Sequence, residues 1–201
     1  HYLTEEIAHK IISDNGKPDF ITFTNVFAHI HDLKGVLSSL KLLMKPKTKL
    51  IIENHYLGSV LDGNQFDTFY HEHPRTYSYN SFKYMAKSLG MLIENVQFPS
   101  RYGGNIQVFI GSNGDFEDKI ELENKEKRFL KSFDKLNLNI LKWKGKKSAE
   151  LKRLNQKNGM LHLKAFPGRS AILIKILGLD EKIISAVYEK PGSLKIGQYV
   201  P

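Results

Sequence analysis

Apolar residues recur at helical spacing from Leu3 through Ile7 to Ile11. Thr4 is placed to cap that run, Glu5 and Glu6 suit its positive end, and Asn15-Gly16 stops it. The chain is therefore expected to open with a helix. Residues 20–27, Phe-Ile-Thr-Phe-Thr-Asn-Val-Phe, are rich in aromatic and β-branched side chains and predict a buried strand. Asp32 can cap a second helix whose core face is Leu33, Val36, Leu37, Leu40 and Leu43 or Met44, ended by Lys45-Pro46. Residues 49–53 are the next strand, and strand, helix, strand at this spacing is a parallel crossover unit.

Further on, Phe82, Met85, Ala86 and Leu89 form one apolar helix face, with Gly90 as its stop. Residues 91–98 and 105–110 read as two strands joined by Pro99-Ser100-Arg101-Tyr102-Gly103-Gly104, a hairpin. Two crossover units closed by such a hairpin describe the second half of a doubly wound α/β sheet whose last strand is reversed. From residue 115 the composition turns charged. Phe129, Phe133, Leu136 and Ile140 keep helical spacing, and a break is expected at Gly145, giving two helices or one kinked helix. Residues 160–166, 168–177 and 183–188 then repeat strand, helix, strand. The domains expected are 1–114 and 115–201, the second a helical linker with a small α/β subdomain.

The 201 residues suffice for one sizeable core or two modest subdomains, and 41% hydrophobic content is ordinary for a globular chain. The absence of cysteine excludes disulfides, thiolate zinc sites and a cysteine nucleophile. No apolar run approaches the roughly 18 residues of a membrane span, and residues 1–6 lack signal-peptide character, so a soluble, cytoplasmic protein with no membrane partner is expected. The net charge of +9 is uneven, concentrated in Lys142, Lys144, Lys146, Lys147, Lys152, Arg153 and Lys157. That stretch could attract phosphates or be a solvated helix face. Only Trp143 interrupts it with an aromatic, which argues against a nucleic-acid platform.

Proton-handling groups are densest in Phe69-Tyr70-His71-Glu72-His73-Pro74-Arg75-Thr76-Tyr77-Ser78. An extended backbone would put Tyr70 and Glu72 on one face and His71 and His73 on the other. Pro74 argues instead for a loop, entering a helix at Ser78 to Ser81. Such loops carry catalytic residues more often than packed elements do, although an inert solvated loop fits the same residues. Ligands of open parallel sheets sit beyond the carboxyl ends of strands, so residues 25–31 and 53–56 matter, and His29, His55, His71 and His73 could converge there. The pairs His29/His31 and His71/His73, with Asp32, Glu53 or Glu72, also allow a metal reading. Gly168, with Arg169 and Ser170 in the first turn of a helix, is either a phosphate-binding turn or a simple turn glycine.

With these residues assembled, the chain resembles the S-adenosylmethionine-dependent C-methyltransferases that act on nucleotide-linked deoxysugars. The resemblance rests on Asn25-Val26-Phe27-Ala28-His29-Ile30, Glu53-Asn54-His55-Tyr56-Leu57, Phe66-Asp67, Tyr70-His71-Glu72-His73, Gly103-Gly104-Asn105 and Lys195-Ile196-Gly197-Gln198-Tyr199-Val200-Pro201. It implies the second half of a Rossmann-like class I methyltransferase sheet, with a C-terminal subdomain contacting a nucleotide sugar. The family's zinc module and glycine-rich first loop have no counterpart in these residues, which open at the equivalent of the helix before the fourth strand. Residues 165–170 are also less glycine-rich than the family's run.

The resemblance implies methyl transfer to a carbon adjacent to a ketone, which needs a base for a poorly acidic proton and donors for the enolate. It makes His73 the base, Glu72 its orienting partner, and Tyr70 and His29 hydrogen-bonding groups near the oxyanion. Asn25, Val26 and Phe27 would line the cofactor surface. His55, Tyr56, Gly104, Asn105 and Arg169 are the substrate-binding candidates. O-methylation of a sugar or polysaccharide substituent and a catalytically silent sugar-nucleotide-binding or partner-binding module are the alternatives.

Overall fold

The computed structural model describes residues 2–112 and 119–198. It divides into two compact units, one of His1–Gln65 with His71–Ser132, the other of Phe66–Tyr70 with Phe133–Pro201. The expected division at 114/115 falls outside the described residues, and residues 119–132 stay with the first unit.

In the first unit, α1 (Glu5–Asn15) begins at Thr4, whose hydroxyl accepts from Ile7 N at 3.2 Å, and stops at Gly16. β1 (Phe20–Thr24) leads through a 3-10 turn, Phe27–His29, to α2 (Leu33–Leu43), capped by Asp32 through Gly35 N. β2 (Lys49–His55) runs two residues beyond the expected strand and passes into a short helix, α3 (Leu57–Asp62), which apolar periodicity did not reveal. α4 (Tyr79–Ser88) starts at Ser78, where Ser78 and Ser81 cap each other's backbone and Glu126 accepts from Tyr79 N and Asn80 N. β3 (Leu92–Gln97) and β4 (Asn105–Gly111) form the hairpin.

The sheet order is β1-β2-β4-β3, with β1 parallel to β2 and β4 antiparallel to both its neighbours. Ile21, Phe23, Leu50, Ile52, Ile106, Val108 and Ile110 share one face and pack on Leu40, Phe82, Met85 and Ala86 of α2 and α4 and on Met44, which caps α2. Alternation and register therefore put Thr24, Glu53, His55, Asn105 and Gln107 together on the other face, at the carboxyl ends of β1 and β2.

Two expectations are corrected here. The first strand ends at Thr24, because Asn25 takes a positive φ of 54° and turns the chain. It is not a buried strand either: at the sheet edge its alternate residues face out, and Phe20 is 67% exposed.

α5 (Ile120–Glu126) completes the helices of the first unit, and α6 (Phe129–Asn158) runs unbroken through Gly145. One glycine costs a helix only about 1 kcal/mol relative to alanine, which thirty residues of otherwise good helix formers absorb. In the second unit β5 (Leu161–Lys164) and β6 (Ile184–Tyr188) are parallel and joined by α7 (Ser170–Leu177). Phe66 and Phe69 belong to this unit, packing on Trp143 and Phe133 at 5.1 and 6.1 Å between ring centroids. Among the described residues no helix is long and apolar enough to cross a membrane.

Candidate active site at the strand ends

Glu53, 1% exposed, is the hub of the polar strand end. It accepts from Arg101 Nε at 2.5 Å, from Asn105 Nδ2 at 2.7 Å and from Gln107 Nε2 at 3.0 Å, and Arg101 Nη2 pairs with its second oxygen. The Arg101 guanidinium, helped by both amides and opposed by burial, holds the Glu53 carboxyl below its ordinary range. Asn105 Nδ2 also donates to Asn25 Oδ1 at 3.2 Å, and Asn25 N donates to the Glu53 carbonyl at 2.8 Å. The ends of β1, β2 and β4 are thus knitted through one carboxylate. The sequence marks Glu53 as a residue beyond the strand end and as an optional metal ligand, and Arg101 only as part of a turn; the ion pair between them has no local signal.

His55, 8% exposed, lies two residues along β2 from Glu53, with Nε2 2.8 Å from the Tyr102 carbonyl oxygen. A carbonyl only accepts, so Nε2 carries the proton in this contact. The His73 ring stands edge-on to His29 at 4.7 Å and to His55 at 5.9 Å between centroids. Three of the four expected histidines therefore converge. His71 does not: its side chain is 77% exposed, with Nε2 3.8 Å from the Glu72 carboxylate. A turn at 71–72 takes His71 and His73 to different surroundings. Among the described residues no group of three or more His, Asp or Glu is placed to hold a metal ion.

Two ties on the carboxyl side of His73 dock this loop. Arg75 donates from Nη1 to the Ile30 carbonyl and from Nη2 to the His31 carbonyl, the latter at 3.0 Å. The Tyr77 hydroxyl donates to the Phe27 carbonyl at 3.2 Å, and burial pushes its pKa up to about 12, which keeps it a neutral donor. Neither residue was singled out from sequence, because a lone Arg or Tyr carries no spacing signal.

Other candidates have different surroundings. The Phe27 ring is fully buried between Phe23 and Tyr77, so its side chain belongs to the core rather than to a lining surface. Tyr56 is likewise a core residue, with its ring against Phe98 and its ionisation raised by burial and by Glu126. Val26 is exposed. Gly104, at φ 113°, supports the turn, its carbonyl accepting from Tyr56 N. Tyr70 and Arg169 fall in the second unit, where Arg169 pairs with Asp67 at 3.7 Å. That unit holds a concavity of about 860 Å³ along β6, whose lining mixes Lys182 and Lys195 with Asp180, Glu181 and Glu189. Such a lining selects no anion. The basic stretch lies on α6, with Trp143 packed on Phe66 and Lys147 paired to Glu150 at 2.8 Å.

Residues 4–98 match a family model described as a methyltransferase domain. That family takes its methyl group from S-adenosylmethionine. The chain is also 33% identical over 106 residues to a protein named C-methyltransferase NovU from Streptomyces niveus. The aligned region is 53% of this chain, and the chain spans a quarter (25%) of the length of that relative. The methyltransferase match ends at Phe98, before β4, although β4 sits between β2 and β3 in the sheet.

The residues fit part of the methyl donor. Asn105 is completely buried, its Nδ2 is committed to Glu53 and Asn25, and its Oδ1 has no partner among the described residues. Buried polar atoms in native proteins are rarely left so, and a donor from a ligand at this strand end would complete the set. The ribose hydroxyls and ammonium of the methyl donor are such donors. Asn25, Val26 and Asn105, at this strand end, are the residues that would hold it.

Proposed function

We propose that this chain contributes to methyl transfer from S-adenosylmethionine to a carbon adjacent to the ketone of a nucleotide-linked deoxysugar. The observation that carries the reading is the convergence of His29, His55 and His73 at the carboxyl ends of β1 and β2, within a matched methyltransferase domain. The name of the Streptomyces niveus relative favours carbon over oxygen as the acceptor.

S-adenosylmethionine, when bound, supplies an electrophilic methyl group. The chain's own work is to make the carbon nucleophilic. His73 takes the proton from the carbon beside the ketone, and that bond's electron pair passes into the enolate. His29, edge-on to His73, donates a hydrogen bond to the enolate oxygen. Glu72 orients the base in this reading, which the resemblance suggests, while its carboxylate also stands near His71. Gly104, fixed by its turn, lets substrate approach the backbone beside Asn105 and His55.

The test is incorporation of isotopically labelled methyl from S-adenosylmethionine into a nucleotide-linked keto-deoxysugar, followed by product NMR. Methyl on carbon is expected. Methyl on oxygen would replace this reading with O-methylation, and binding of the sugar nucleotide without transfer would leave only a binding module.

A further inference from the structure

The histidine loop closes on the segment after β1 through a tie that no sequence pattern announced. Arg75 spreads its guanidinium across two consecutive carbonyls, Ile30 and His31. Those carbonyls immediately follow His29, and Arg75 lies two residues beyond His73. Pro74, between them, has no N–H to offer and narrows the backbone's choices. The next tie along the loop, Tyr77 to Phe27, reaches the chain two residues before His29. Arg75 thus links the two loops within two residues of both rings.

We propose that Arg75 is a positioning residue, setting the approach of His73 to His29 and so the geometry of proton abstraction; its catalytic consequence rests on the function proposed above. A planar fork can hold two adjacent carbonyls at once, whereas a lysine ammonium on a flexible stem fixes a single point. That difference makes the proposal specific to a guanidinium. Displacing a reacting group by about 1 Å costs on the order of 100-fold in rate, so the tie matters without Arg75 touching substrate.

The experiment compares Arg75→Ala and Arg75→Lys with the unaltered 201-residue chain. The nuclear Overhauser contact between the His29 and His73 ring protons is measured alongside the backbone amide spectrum, with and without low, non-denaturing guanidinium. The contact should be present in the unaltered chain and lost in both variants while the amides of β1 and β2 keep their positions. Guanidinium should restore it in Arg75→Ala. Where methyl transfer is measurable, single-turnover rate should fall about 100-fold with KM within a few-fold. Absence of the contact from the unaltered chain, its persistence in either variant, or its loss without recovery in guanidinium overturns the proposal. If Arg75→Ala unfolds, Arg75→Lys decides, and unfolding of both overturns it, since Arg75 would then serve stability alone. Failure of the unaltered protein to transfer methyl removes the functional reading and leaves the ring contact to decide the role of Arg75.

Discussion

Arg101 reaches back from the β3–β4 turn to Glu53 at the end of β2, Nε standing 2.5 Å from Oε1 and Nη2 facing Oε2. Fork geometry on a buried carboxylate makes this a strong kind of ion pair, although the Arg101 side chain is 53% exposed and solvent weakens the charge term. Replacing Glu53 with Gln removes the charge and sets an amide NH2 against two of the donors now satisfied.

Glu53→Gln is expected to destabilise the first unit by roughly 2–3 kcal/mol at neutral pH. The sign with pH follows from the depressed folded-state pKa. The contribution is full above the unfolded value of 4.5 and is lost as pH falls through the lower folded value. Urea unfolding of both proteins at neutral and acidic pH checks this: the gap should narrow in acid. A gap of constant size would show that the carboxylate's ionisation is not what stabilises the turn.

At Gly104 two constraints coincide: φ is 113°, and a Cβ would lie 2.5 Å from Ser59 Oγ. Gly104→Ala should therefore cost roughly 1–3 kcal/mol from backbone strain alone and displace α3 or the turn. Thermal unfolding together with the His55 ring signals, which report its bond to Tyr102, measures it. A neutral substitution would mean that this turn is free to adopt another path.

How much of this was legible depended on the range of the interaction. Helix starts are readable because Thr4, Asp32 and Ser78 each act on the residue three positions on. The reversed strand was readable because Gly103-Gly104 interrupts two β-rich runs. The histidine convergence was anticipated only as a position beyond strand ends; that His73 and not His71 turns inward depends on the turn at 71–72 and on Arg75 reaching Ile30 and His31. Phe27 and Tyr56 were read as site residues because their neighbours carry the motif, whereas burial against Tyr77 and Phe98 is a tertiary fact. Gly145 looked like a break because a local rule cannot weigh the rest of a long helix.

Among the described residues β1 is hydrogen-bonded on one side only, and Phe20 on it is largely exposed. An open edge with an apolar side chain templates association. These 201 residues should therefore associate as concentration rises, and Phe20→Lys should reduce it while leaving the fold intact. Sedimentation velocity over a concentration series would show it, and an unaltered chain that stays monomeric throughout would count against the edge as the cause.

The sharpest expectation separates His73 from His71. His73 is half-buried and stands against His29 and His55, while His71 is in solvent beside Glu72. A base acts in the transition state and adds little to ground-state binding, so His73→Asn should lower single-turnover methyl transfer by about 10²- to 10⁴-fold with substrate and cofactor affinities within a few-fold. His71→Asn should leave the rate within a few-fold, since it removes an exposed ring whose ion-pair partner is also largely exposed. A metal held by the two histidines predicts comparable damage from either substitution and loss of activity with chelator. The measurement is single-turnover transfer for both variants with and without chelator. Equal losses together with chelator sensitivity would overturn the assignment of His73 as the base. Chelator sensitivity with an intact His71 variant would not, because a metal bound elsewhere in a longer protein would produce it without either ring as a ligand.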